Sequence, residues 1–267
     1  MSAFRTDGGI ALPHDWLFCR LPATGLPELP ELIRALQAAD DVWFFDAPVD
    51  ARDHGLTLWF HAPADRLGEL RALLRADHGS RVAEDRTTAR PPDFPGVRGL
   101  ALADELAVVS SRLAVAIAAD GGLRHEEGPA WAVRHLRHLV DLVPQRDRRA
   151  FLFACWQQWT VGLEPAHRVD LGLQAEIEAG SVPRGETAGP ATGPWSRYTE
   201  ATRVIAAAPE FTADAPANYL LLDHAHRTHS RLGLAPAVEA LAARTVRAEL
   251  DATGALAALA TPALQKA

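Results

Sequence analysis

Val42-Trp43-Phe44-Phe45-Asp46-Ala47-Pro48 and, after a charged stretch, Gly55-Leu56-Thr57-Leu58-Trp59-Phe60-His61-Ala62-Pro63 decide how the fold is read. Both runs are rich in the aromatic and aliphatic residues that suit a pleated, half-buried surface, and a polar connection separates them. They read as the two strands of an antiparallel hairpin. Upstream, HDWLFCRL (14–21) is a further strand, and PELPELIRALQAAD (27–40) is a helix with proline near its start, where a missing N–H costs nothing. Downstream, ADRLGELRALLRADHG (64–79) is a helix that packs on the sheet through Leu67, Leu70, Leu73 and Leu74, with Gly79 as its stop.

Beyond this point the pattern changes. RTTARPPDFPGVRG (86–99) is read as a loop from its prolines and glycines. Leu, Val, Ala and Trp then recur at helical spacing over 101–120, 126–143, 147–163 and 166–179. A second Gly/Pro-rich loop, SVPRGETAGPATGPWSRY (181–198), has the length of a lid, and helices over 199–208, 214–232 and 235–252 complete the chain. The expected fold class is α+β, an N-terminal antiparallel sheet with packed helices followed by a mainly helical region. The expected organisation is a single domain over 1–267, with 1–99 as its sheet portion and 100–267 as its helical portion.

Composition excludes several classes. The chain has 267 residues, 48% of them hydrophobic, enough to bury a substantial core. Its longest apolar runs, such as LAVAIAA (113–119), fall far short of the ~20 residues that span a bilayer, and the first residues lack a signal pattern. A cytoplasmic location with no membrane contact is expected. A net charge of −7 argues against a nucleic-acid partner. Cys19 and Cys155 lie far apart in apolar sequence and are expected to be buried free thiols. The histidines form no HExxH pattern, no CxxC pair occurs, and HLRH (135–138) lacks an accompanying carboxylate, so no metal is expected. Walker, GxGxxG and GxSxG patterns are absent as well.

Chemistry-bearing residues concentrate in YLLLDHAHRTHSRL (219–232). Tyr219, Asp223, His226 and Ser230 are spaced four, three and four, so a helix puts them on one stripe. A solvated helix face has the same appearance, but apolar residues flank this stripe and a second helix follows the Gly233 break. Asp223 is placed to hold His226 and fix its tautomer, as an acid/base pair requires.

The order strand, helix, WFF strand, LxLxFH strand, helix, a long helical region opening with SSRLAVAIA, and HRTHSRLGL before a last helix resembles a known family. It is similar to the C-terminal, elimination-type domain of the lantibiotic dehydratases and its stand-alone relatives in thiopeptide biosynthesis. In that family the second hairpin strand reads H-L-R-L-R-F and the closing helix S-x-x-H-M-x-x-N-R-L-x-G. His226, Arg231 and Leu232 match, whereas Ser230 replaces the asparagine, Thr57 and Trp59 stand where the family has arginines, and the E-R-Y-G-G segment has no counterpart near 84–99.

The resemblance implies an enzyme acting on a modified precursor peptide, a leader followed by a core with thiazoles and dehydroalanines, with no metal or organic cofactor. Elimination of glutamate from a glutamylated serine calls for cations around the departing carboxylate, and the missing strand arginines demote it. The resemblance then favours pyridine synthesis, a formal aza-[4+2] cycloaddition between two dehydroalanines with loss of water and of the leader. A leader-binding module without catalysis is the third reading. For the ring-forming reaction Tyr219 is the expected hydrogen-bond donor and His226, supported by Asp223 and with Ser230 beside it, the proton shuttle. Trp59, Trp195 and Tyr198 are the expected clamp for flat thiazoles, with Arg197 and Arg231 beside them as substrate-binding residues. Arg34, Arg66 and Arg71, on helices flanking the hairpin, are candidates for an acidic leader.

Overall fold

The computed structural model describes residues 16–22, 31, 33–34, 42–47, 55–78, 84–88, 97–179, 192–208, 211 and 217–260. Its sheet has strands β1 (Trp16–Pro22), β2 (Val42–Asp46), β3 (Gly55–His61) and β4 (Glu84–Thr88) in the order β2-β3-β1-β4, each neighbouring pair antiparallel. The helices are α1 (Ala64–His78), α2 (Val97–Ala119), α3 (Gly128–Leu142), α4 (Arg148–Trp159), α5 (Pro165–Glu178), α6 (Thr192–Ala206), α7 (Ala217–Arg231) and α8 (Pro236–Ala260). The fold is α+β, a small antiparallel sheet within a mostly helical chain.

The chain divides into two compact units, residues 1–123 with 190–233 and residues 124–189 with 234–267. Because it alternates between them along its length, we propose that they fold together as the single domain expected from the sequence.

In the first unit the period-2 pattern of the strands determines what each face buries. Leu17, Cys19 and Leu21 of β1, Trp43 and Phe45 of β2, and Leu56, Leu58 and Phe60 of β3 form one core with Leu67, Leu70 and Leu74 of α1. Leu73 was expected on that face; it is instead 39% exposed, because only three of the four leucines fit under one helical stripe. Trp16, Val42, Phe44 and Trp59 form a second cluster with Ala107 and Val108 of α2. The register pairs Asp46 with Thr57 and Thr57 with Arg20, so these three residues share a face in adjacent strands.

β2 is an edge strand, and exposed edge amides invite unwanted pairing. Here side chains take them up. The Phe45 N–H donates to Ser111 Oγ at 3.1 Å, and the Phe45 carbonyl accepts from Arg231 Nε at 2.6 Å. In the second unit α3, α4 and α5 pack on α8. Arg137 of α3 holds Glu249 of α8 bidentately at 3.0 and 2.5 Å, and Arg148 and Arg168 each turn back to cap the carbonyls of the preceding segment.

Two sequence expectations are corrected. Residues 84–88, of which 86–88 were assigned to a loop, form β4 against β1; EDRTT has no apolar alternation to show it. The second loop ends early, since α6 begins at Thr192, so Trp195, Arg197 and Tyr198 are helical. The expected helix over 27–40 lies outside the described residues except 31, 33 and 34, which are helical. Cys19 and Cys155 are buried thiols, neither in a disulfide.

Candidate active site

Helix α7 ends where Gly233 takes a φ of +72°, a left-handed conformation that suits a residue without Cβ. The stop leaves Arg231 at the last turn, 1% exposed, pointing at the edge of β2. Its guanidinium donates through Nε to the Phe45 carbonyl, through Nη1 to Ser110 Oγ at 2.7 Å and through Nη2 to Asp46 Oδ1 at 2.9 Å. Arg231 was expected to bind substrate. Its three nitrogens are instead occupied within the protein, so it positions Asp46 and fastens α7 to the sheet.

One turn back along α7, Arg227 Nε donates to Asp223 Oδ2 at 2.7 Å and Nη1 approaches Asp46 Oδ1 at 3.4 Å. Asp46 therefore accepts from two guanidiniums, and Asp223 answers Arg227. The sequence placed Asp223 as the support of His226; Arg227, four residues on, is the partner the structure gives it. Asp46, Ala47, Asp223, His226, Arg227 and Ser230 line a cavity of about 220 Å³. His226 and Ser230 thus face a space bounded by the Asp46 and Asp223 carboxylates and by the Arg227 guanidinium that bonds both, a pre-oriented polar wall of the kind that stabilises developing charge.

Of the expected stripe, Asp223, His226 and Ser230 come together. Tyr219 does not: it sits one turn nearer the helix start, 59% exposed, and is not part of the lining. Asp46, Ala47 and Arg227 escaped the sequence reading. Arg227 was legible as the i+4 partner of Asp223, whereas Asp46 is remote in sequence and only strand–helix packing brings it here.

The aromatic clamp is not assembled as expected. Trp59 is 7% exposed, edge-on to Trp16 at 6.3 Å and to Phe18 at 5.0 Å, and belongs to the sheet's own packing. Trp195 and Tyr198 stack on one another at 5.5 Å, both buried. The Tyr198 hydroxyl lies 2.7 Å from His224 Nε2, a buried pair. Burial pushes the Tyr198 phenol well above its ordinary pKa, so it stays protonated.

Tyr198 also borders a second cavity, about 210 Å³, lined by Val109, Arg112, Leu113 and Ala116 of α2 and by Pro194, Arg197, Tyr198 and Ala201 of α6. Of the leader candidates, Arg34 is exposed, Arg66 pairs with Glu69 at 3.0 Å and Arg71 is half-buried on α1. Among the described residues no group of three His, Cys, Asp or Glu side chains is placed to hold a metal, and no helix is long and apolar enough to cross a membrane.

No family model and no curated protein matches the sequence. Solved structures do. The tRNA-dependent lantibiotic dehydratase MibB from Microbispora sp. 107891 superposes with a TM-score of 0.60 at 18% identity over 94% of this chain, which spans 29% of that protein. TbtD, a pyridine synthase from thiomuracin biosynthesis, superposes with a TM-score of 0.59 at 14% identity over 90% of this chain and 99% of its own. The chain therefore has the fold these two proteins share, and both belong to the group its sequence resembles.

Proposed function

We propose that this protein is a biosynthetic enzyme of a ribosomal-peptide pathway, acting in the cytoplasm on a modified precursor peptide, and that its reaction is pyridine formation. The end-to-end correspondence with a pyridine synthase, 99% of that chain, carries the reading. In this reaction two dehydroalanines of a thiazole-bearing peptide join in a formal aza-[4+2] cycloaddition. Water leaves the ring first, and the leader then leaves as an amide, so the core product and leader amide together weigh one water less than the substrate.

The α7 cavity supplies what such chemistry asks of a protein. An amide must reach its iminol form and a hydroxyl must depart as water. His226 moves the protons, and the Ser230 hydroxyl donates to oxygen beside it. Asp46, Arg227 and Asp223 hold the polar wall in place; general acid–base assistance of this kind is worth about 10²–10⁴ in rate. Holding two distant alkenes in contact contributes more, up to roughly 7–11 kcal/mol of the barrier. Tyr219, exposed outside the lining, gives up the donor role that its spacing suggested.

Glutamate elimination is the second reading, favoured by the superposition on the dehydratase and by Arg20, the exposed strand partner of Thr57. Two observations set it lower. Thr57 lies opposite Asp46 of the cavity wall, so a hydroxyl occupies the place of the family's first strand arginine, and the second place is filled by Trp59, packed in the sheet.

Mass spectrometry of the full chain incubated with a leader-bearing thiazole peptide carrying two dehydroalanines tests both. Release of a leader carboxamide with a pyridine-containing core supports ring formation. An unchanged peptide, together with conversion of a glutamylated serine peptide to dehydroalanine, replaces it with elimination. Binding without conversion of either peptide leaves the non-catalytic module.

A further inference from the structure

The second cavity is built from two matching helical faces. Val109, Arg112, Leu113 and Ala116 follow the spacing i, i+3, i+4, i+7, and Pro194, Arg197, Tyr198 and Ala201 repeat it, so each helix presents one arginine among apolar neighbours. The floor is fixed: the buried Tyr198 ring is held by its hydroxyl's contact with His224 and by stacking on Trp195 and His224. The arginines differ from the others around them. Arg227 and Arg231 bond carboxylates within the protein, and Arg203, also on α6, pairs with Glu200. Among the described residues Arg112 and Arg197 have no hydrogen bond and no ion pair, although both line the same cavity. Although the residue as a whole is exposed, desolvation of its inner part lowers the Arg112 guanidinium from its ordinary pKa, and no anion among the described residues pairs with it.

In a chain of net charge −7, two guanidiniums with no carboxylate partner among the described residues, set across a small apolar hollow, define a ligand by complementarity. Each guanidinium presents a planar fork that matches a carboxylate. The volume, about 210 Å³, lies below the ~300–1,000 Å³ of sites that enclose a whole small molecule. It suits one or two side chains of a longer ligand that continues over the surface. We infer that the α2–α6 cavity is a docking site for an acidic peptide segment, in which an aliphatic side chain packs on Val109, Ala116, Pro194 and Ala201 while neighbouring carboxylates meet Arg112 and Arg197. This site shares no residue with the α7 cavity and stands whether or not the chain makes a pyridine.

Isothermal titration calorimetry on the full chain at low salt tests it, with acetyl-Leu-Glu-Leu-Glu-Leu-amide as probe and the same peptide bearing Gln for Glu as its neutral counterpart. Saturable binding of the acidic probe is expected, with the neutral one weaker by about ten-fold or more, the size of a lost charge-assisted bond. Arg112→Gln and Arg197→Gln should each weaken the acidic probe by about ten-fold. Both side chains are exposed, so unchanged thermal melts are expected to accompany the loss. Arg203→Gln removes the same charge from the same helix and should leave the affinity unchanged. Absence of saturable binding, equal affinity for the neutral probe, or equal weakening by Arg203→Gln overturns the assignment. The proposed ring-forming reaction, read by mass spectrometry on residues of the other cavity, survives that failure.

Discussion

Arg231 and Phe45, 186 residues apart in sequence, are joined by a 2.6 Å hydrogen bond from guanidinium Nε to backbone carbonyl, with the guanidinium carbon 6.0 Å from the centre of the Phe45 ring. One buried cation thus satisfies an edge-strand carbonyl, the Ser110 hydroxyl and the Asp46 carboxylate together. Removing it takes from each its bond to the guanidinium and leaves only weaker ones, to Arg227 for Asp46, to the Ala107 carbonyl for Ser110 and to Ser111 for the Phe45 carbonyl. Arg231→Gln is expected to lower stability by about 3–5 kcal/mol, toward the lower end because Asp46 keeps some access to water. Arg231→Lys should restore little, since a single ammonium cannot reproduce the fork. Urea denaturation measures both, and a change under about 1 kcal/mol would show that α7 is held to β2 by other means.

Trp59 gives a stability prediction where the sequence suggested a binding one. Its ring packs among Trp16, Phe18 and Phe44, so Trp59→Ala should cost about 3–5 kcal/mol as a cavity opens under α2. Trp59→Phe, milder in volume, should change the urea midpoint while leaving the KM for peptide unaltered. A raised KM at unchanged stability would return Trp59 to the substrate.

Alkaline pH should destabilise the protein in two steps. Burial, and secondarily the charge of Glu239, raises the pKa of the Cys155 thiol, and burial raises that of the Tyr198 phenol. Both groups are neutral when folded. The unfolded chain releases the thiol proton from about pH 8.5 and the phenol proton from about pH 10, so above each point the folded state binds one more proton and stability falls by about 1.4 kcal/mol per pH unit per group. Urea melts at stepped pH check the slope. Cys155→Ala should abolish the first step, and its persistence would assign that step to another group.

At the α7 cavity the readout is turnover. His226→Ala and Ser230→Ala should each reduce pyridine formation by about 10²–10⁴ without shifting the thermal midpoint, whereas Tyr219→Phe should remain active. Loss of activity in Tyr219→Phe alone would move the chemistry one helical turn along α7.

Much of the fold was legible in local pattern. VWFFD and GLTLWFH pair in register as a hairpin, and the 3.6-residue recurrence located the long helices. The failures share a cause. EDRTT is a strand only because β1 offers an unpaired edge, and TGPWSRY is a helix whose apolar residues face partners that a Gly/Pro-rich context conceals. Neither carries its structural reason within its own residues.

The same boundary runs through the candidate site. Sequence alone determined that Asp223, His226 and Ser230 share a helix face, because helical geometry needs no information beyond spacing. It also determined which strands are aromatic and which residues carry charge. Only the tertiary structure decided that Asp46 closes the wall opposite them, that Arg231 faces inward to the β2 edge, and that Arg112 and Arg197 stand across one hollow. Those facts depend on which helix lies against which strand. A buried or paired group is specified by the elements packed around it, and residues 46 and 231 meet only once β2 and α7 are in place.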